Sequence, residues 1–92
     1  MKIISKIKVK NVLGLHTRPA TAIVKLLQSS KCDISFTCRK ETINAKSILS
    51  ILALGVRRNS VITITVAGGD GEEMKTTMEN LVQAFENRFG EH

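Results

Sequence analysis

The segment "LGLHTRPAT", residues 13–21, gathers one of the two histidines, the single proline, an arginine and a glycine. They are crowded where an apolar strand pattern ends and an apolar helix pattern begins. A helix starting at His16 or Thr17 leaves its first-turn amides without intrahelical partners, at the positive end of the helix dipole. Such an end is a ready site for an anion, phosphate above all. Pro19 fits the first turn because its missing N–H would have had no partner there. Gly14 permits a sharp bend and leaves the ring uncovered, and Arg18 adds a fork of donors suited to phosphate oxygens. The same helix end favours the uncharged, nucleophilic imidazole. A neutral ring nitrogen beside amides and a guanidinium is what a reversible phosphohistidine needs. On the residues alone, a capping or surface histidine is the competing reading.

The elements that position this corner follow from periodicity. "KIISKIKVK" sets Ile3, Ile7 and Val9 at alternate positions, with Lys6 and Lys8 between them, and reads as a half-buried strand. From Thr17 to about Ser29 the spacing becomes helical, with Ala20, Ile23, Val24 and Leu27 inward. "CDISFTC" returns to period two, with Cys32, Ile34, Phe36 and Cys38 on one side, and "ETINA" follows as a short strand. "SILSILAL" is apolar almost all round and is closed by Gly55, a left-handed helix cap. In "SVITITV", Ile62, Ile64 and Val66 face inward. Asp70, with Glu73 three residues on, has the pattern of a capping box. It opens a long helix striped by Met74, Met78, Leu81, Val82, Phe85 and Phe89. The order predicted is β-α-β-β-α-β-α in an α+β fold, a four-stranded antiparallel sheet with three helices on one face.

Composition narrows the function. A chain of 92 residues is read as a single domain, residues 1–92, able to bury roughly two thirds of its unfolded surface. The net charge is +6, which suits acidic partners or is a solvated basic surface. With no Trp, no Tyr and three Phe, there is little material for stacking on bases. The basic residues are dispersed, with no run longer than Arg57–Arg58, so a nucleic-acid partner is not expected. Cys32 and Cys38 share a strand face but sit roughly 20 Å apart along it, too far to bridge. Their spacing is not that of a zinc pair, so no metal and no cofactor are expected. Buried free thiols fit a reducing cytoplasm. The lysine-interrupted start is not a signal peptide. The longest apolar run falls short of the ~20 residues of a span, so no membrane role is expected. "GGDG" at residues 68–71 matches the glycine pattern of loops that clamp RNA, but Asp70, Glu72 and Glu73 would repel phosphate there. His92 carries no role.

"LGLHTRPAT" resembles the active-site segment of the histidine-containing phosphocarrier (HPr) family of the bacterial phosphoenolpyruvate-dependent sugar phosphotransferase system. "NAKSILSILALGV" resembles that family's serine-bearing segment, at matching separation, and the resemblance runs over essentially the whole chain. It implies the family's open-faced β-sandwich and a cytoplasmic, monomeric phosphoryl carrier that is not itself an enzyme. By that resemblance, His16 accepts a phosphoryl group on Nδ1 from phosphorylated enzyme I and passes it to an enzyme IIA. Arg18 matches the arginine that assists transfer, and Ser47 the serine phosphorylated by a dedicated kinase in many members. Ile48, Leu49 and Leu52 match an apolar docking patch, with Lys25 and Lys46 at its basic fringe. The residues of the short helix agree: Ile51 and Leu54 share one side, and Ile48, Leu49 and Leu52 the other. The alternative is that the helix is simply sunk in the core.

Two departures from the family pattern stand out. Arg39–Lys40 replaces a glycine-bearing turn, so that hairpin is expected to be wide or strained. Ser50 and Ala53 are variable positions at the patch rim. Two functions follow: carriage of phosphoryl groups for sugar uptake, or a mainly regulatory carrier, nitrogen-linked or catabolite-controlling, that acts through binding partners.

Overall fold

The computed structural model describes residues 1–91; His92, to which the sequence assigns no role, lies outside the described residues. The elements in chain order are β1 (Lys2–Lys8), α1 (Thr17–Leu27), β2 (Asp33–Cys38), β3 (Glu41–Asn44), α2 (Ile48–Leu54), β4 (Val61–Ala67) and α3 (Gly71–Glu86). A short 3-10 turn, Arg88–Gly90, follows. The predicted β-α-β-β-α-β-α order is the observed one. Helix α1 stops two residues earlier than its periodicity suggests.

The four strands form one antiparallel sheet in the order β1-β4-β2-β3. Strand β4 lies between β1 and β2, and β2 lies between β3 and β4. Two strand–helix–strand crossovers therefore interlock, β1-α1-β2 and β3-α2-β4, each leaping over one strand. Such crossovers are right-handed almost without exception. Here they run in opposite directions from oppositely directed strands, so the same handedness sends α1 and α2 to one face. The sheet shows this asymmetry directly. Ile34, Phe36, Ile62, Ile64 and Val66 are buried, whereas the alternating Ser35, Thr37, Thr63 and Thr65 are only half covered.

Helices close the core on that face with the stripes expected of them. Ala20, Ile23 and Leu27 of α1, Ile51 and Leu54 of α2, and Met74, Met78, Leu81 and Phe85 of α3 are all buried. Each large side chain so enclosed contributes about 1.5–3 kcal/mol relative to exposure. Phe85 meets Phe36 edge-on with ring centroids 5.9 Å apart. Phe89, beyond the helix, packs edge-on against Phe85 at 4.8 Å. Both cysteines are free and buried.

Local details sharpen three expectations. Arg39 and Lys40 both take positive φ, 49° and 68°, and β2 and β3 are already paired at Cys38 and Glu41. The hairpin is therefore tight rather than wide, in the left-handed conformation its short loop demands. The Arg39 guanidinium donates to the Leu54 carbonyl at 2.6 Å, at the end of α2. Asp70 caps α3 by accepting from the Glu73 amide at 2.8 Å. The reciprocal half of the capping box is not made, because the Glu73 carboxylate accepts from the Lys31 amide at 3.2 Å. Gly55 is the left-handed cap of α2, with φ 65°.

Gly14 serves a purpose other than uncovering the ring. Its φ is +64°, and a Cβ there would lie 2.1 Å from the Val56 carbonyl oxygen. The loop before α1 thus lies flat against the segment after α2, and the Leu15 amide donates to that same Val56 carbonyl at 3.1 Å. Gly14→Ala is expected to lower folding stability by at least about 2 kcal/mol, combining left-handed strain with a backbone collision. Urea denaturation measures this, and an unchanged midpoint would show that the loop can move aside freely.

Candidate functional site

His16 is the N-cap residue of α1, with extended backbone angles and no side-chain capping bond. Its carbonyl accepts the Ala20 amide at 3.0 Å, which opens the helix. The first turn after it is Thr17, Arg18 and Pro19, so the amides of Thr17 and Arg18 precede the first residue able to bond back into the helix. No acidic residue lies in that turn, whereas α3 carries Glu72 and Glu73 in its own. The positive end of α3 is neutralised by its own sequence; that of α1 is not. Pro19 is buried while Arg18 is exposed to solvent. One end of the turn is thereby anchored in the core and the cation is left outside.

The imidazole is partly open, its side chain 32% exposed, and Nε2 lies 2.8 Å from Oε2 of Glu91. The other oxygen of that carboxylate accepts from Asn11 Nδ2 at 2.5 Å. Asn11 Nδ2 also donates to the Arg88 carbonyl at 2.9 Å. Asn11 is 1% exposed, and its Oδ1 is buried without a partner among the described residues. Val12, Leu13, His16 and Glu91 line a concavity of about 320 Å³. Val12 and Leu13 stand largely exposed at its side.

The Asn11 hydrogen bond holds the Glu91 carboxyl below its ordinary value, assisted by the charge and hydrogen bond of His16 and by the charge of Arg18. Partial burial opposes this by raising it. Neither Asn11 nor Glu91 was marked by sequence reasoning. The only hint available was electrostatic, the absence of an acid from the first turn of α1.

The remaining residues singled out from the sequence lie on or beside α2, which packs against α1. Ser47 is the N-cap of α2, its Oγ accepting from the Ser50 amide at 3.2 Å. Leu49 is 79% exposed. Ile48 and Leu52 are half-buried against the core, so α2 is only partly sunk. Lys25 is exposed at the last turn of α1. Lys46 Nζ donates to the Ser30 carbonyl at 2.7 Å. A larger concavity, of about 570 Å³, lies away from His16 between the end of α1 and the start of α3. Its lining includes Asp70, Glu72 and Glu73, the acids that the sequence sets against phosphate binding there. No helix of the described residues is long and apolar enough to cross a membrane.

A small open-faced sandwich that presents a partly exposed histidine at a helix start with no acid in its first turn offers an anion site of the kind that handles phosphate. The family model described as the PTS HPr component phosphorylation site matches residues 3–86, and the chain belongs to this HPr family of phosphotransferase-system phosphocarriers. It is 42% identical over 83 residues to the phosphocarrier protein HPr of Chlamydia pneumoniae, covering 90% of this chain and 74% of that protein. Among solved structures, HPr-C-His from Thermoanaerobacter tengcongensis superposes with a TM-score of 0.88 at 34% identity, covering 98% of each chain. The HPr of Bacillus anthracis strain Ames gives 0.80 at 33%, covering 91% of this chain and 96% of that one.

The lowered carboxyl of Glu91 sets the pH range of its contact. A carboxylate whose folded value is depressed contributes stability that is present above its unfolded value and lost as pH falls through the folded one. The Asn11–Glu91–His16 contact is therefore expected to persist to pH values below 4.5, the ordinary carboxyl value, and then to release. The side-chain amide resonances of Asn11, followed by NMR through an acid titration, check this. A transition at the ordinary value would mean that the contact is not held in solution.

Proposed function

We propose that His16 is the residue that carries the phosphoryl group. It accepts the group on Nδ1 from phosphorylated enzyme I and delivers it to a sugar-specific enzyme IIA. The chain acts as a monomeric cytoplasmic carrier, turned over by those enzymes and not catalytic itself. The observation that carries this reading is the partly exposed imidazole at the start of α1, followed by a first turn that holds Arg18 and no acid. Membership in the HPr family supports it. Arg18 is free to reach phosphate oxygens because it is exposed, and its fork of donors stabilises the charge that moves with the group.

Incubation with phosphoenolpyruvate and enzyme I is expected to place one acid-labile phosphate on the chain, and His16→Ala to abolish it. Arg18→Ala is expected to slow transfer to enzyme IIA while changing stability by no more than about 0.5 kcal/mol, as is usual for an exposed side chain. Labelling that survives in His16→Ala would overturn the assignment.

Ser47 is proposed as a regulatory phosphorylation site for a serine kinase, at the edge of a docking surface formed by Ile48, Leu49 and Leu52 with Lys25 and Lys46 beside it. The exposure of Leu49 supports the surface. The capping geometry of Ser47 supports a fold that tolerates modification, since phosphate at a helix start gains from the dipole. A charge of about −1.5 to −2 beside an apolar contact would impair docking instead. Ser47→Asp is expected to raise the Michaelis constant of enzyme I for this chain, with the melting temperature unchanged or slightly raised. An unchanged constant would mean that Ser47 is a cap and not a switch on this step.

A further inference from the structure

We infer that Glu91 is a positioning residue for His16, fixing the ring proton on Nε2 so that Nδ1 carries the lone pair used in phosphoryl transfer. The inference rests on the assignment of His16 as the carrier and adds a residue to it.

The geometry leaves little choice of tautomer. His16 Nε2 and Glu91 Oε2 are 2.8 Å apart, and an ionised carboxylate only accepts, so the ring nitrogen must donate. A neutral imidazole has a single N–H, which leaves Nδ1 unprotonated. The carboxylate is itself held. Its second oxygen takes the Asn11 Nδ2 hydrogen bond, and the same amide nitrogen grips the Arg88 carbonyl. Asn11 is buried, so this anchor is fixed in the body of the fold.

The chain is brought to this point by an unusual path. After α3, Arg88, Phe89 and Gly90 take φ of 53°, 51° and 80° in succession, a conformation that the first two side chains disfavour. Phe89 is held in it by its edge-on contact with Phe85. The reversal carries Glu91 back over the ring. A strained segment maintained by two separate contacts, and ending on the reactive side chain, is what positioning a functional group requires.

The chemistry then balances without a proton transfer at His16. The Nδ1 lone pair attacks phosphorus, and the bond from phosphorus to the donor atom breaks with its electron pair returning to the donor. The phosphorylated ring bears a positive charge, still protonated on Nε2 and facing the Glu91 carboxylate. On delivery the Nδ1–P bond breaks, its electron pair returns to Nδ1, and the ring is again neutral with Nε2–H in place. A carboxylate in this position supports the charged ring in the same way that a buried aspartate orients and supports a catalytic histidine.

Glu91→Gln and Glu91→Ala test the proposal together, with the whole chain. Gln keeps the shape of the side chain but faces two donors, Asn11 Nδ2 and His16 Nε2, with only one accepting atom. Both variants are expected to slow phosphorylation of the chain by enzyme I on the order of ten-fold, the lower end of the loss seen when the carboxylate partner of a metal-bound histidine is removed. In both, the ¹⁵N shifts of the neutral His16 ring should move towards each other as the second tautomer becomes populated. Far-UV circular dichroism reports whether the fold is retained. Wild-type rates in both variants, unchanged ring-nitrogen shifts, or wild-type behaviour of Gln alone would overturn the proposal. Faster labelling in either variant would also overturn it, by showing that the carboxylate competes with phosphate for the helix end. His16→Ala in the same assay separates the two levels: labelling that survives there removes the carrier assignment, whereas loss there with indifferent Glu91 variants removes only the role of Glu91.

Discussion

The contact on which the histidine depends is one between two backbones. Gly14 lies so close to the Val56 carbonyl that no side chain fits between them, and Leu15 donates to that same oxygen. This seam joins the loop that precedes α1 to the loop that follows α2. It sets where α1 begins, and hence where its free amides, His16 and Arg18 all lie. Because α2 is anchored by Ile51 and Leu54 in the core, the histidine is tied to the hydrophobic interior through only a few rigid links. The apolar core contributes most of the stability, and the seam converts that stability into a fixed position for one ring.

Around the ring two fields oppose each other. The helix end and Arg18 are positive, which suits an anion such as a phosphoryl group. Glu91 is negative and is held beside the ring by Asn11. The two signs of charge thus meet at a single ring, with Glu91 at its Nε2 and the exposed Arg18 two residues along the chain.

Much of this was legible in the sequence. Alternation in "SVITITV" and "CDISFTC", and the helical stripes of α1 and α3, give the elements because burial on one side imposes a period on side chains. Asp70, Ser47 and Gly55 mark helix ends by local chemistry that needs no tertiary information. His16 and Arg18 were legible for the same reason, since a helix start has a known charge and known unpaired donors. Asn11 and Glu91 were not. Their partnership joins residues 80 positions apart through a left-handed reversal, and no local pattern announces it. The tie from Lys46 to the Ser30 carbonyl was hidden for a related reason, since it joins residues 16 positions apart. The second half of the capping box failed likewise, when the Lys31 amide proved to be the partner of Glu73.

The hairpin at Arg39 and Lys40 limits how the chain can change. Helix α2 is seven residues long, with no basic residue in its last turn. The Arg39 guanidinium supplies that missing cation from another element, reaching the carbonyls of Leu54 and Gly55. A glycine at position 39 would relax the turn and at the same moment leave the end of α2 without its donor. The two local optima exclude each other, so the strained arginine is a settled compromise between a loop and a helix that are remote in sequence. A change in the turn that removes Arg39 therefore also removes a donor from the end of α2, where the left-handed Gly55 remains as the cap.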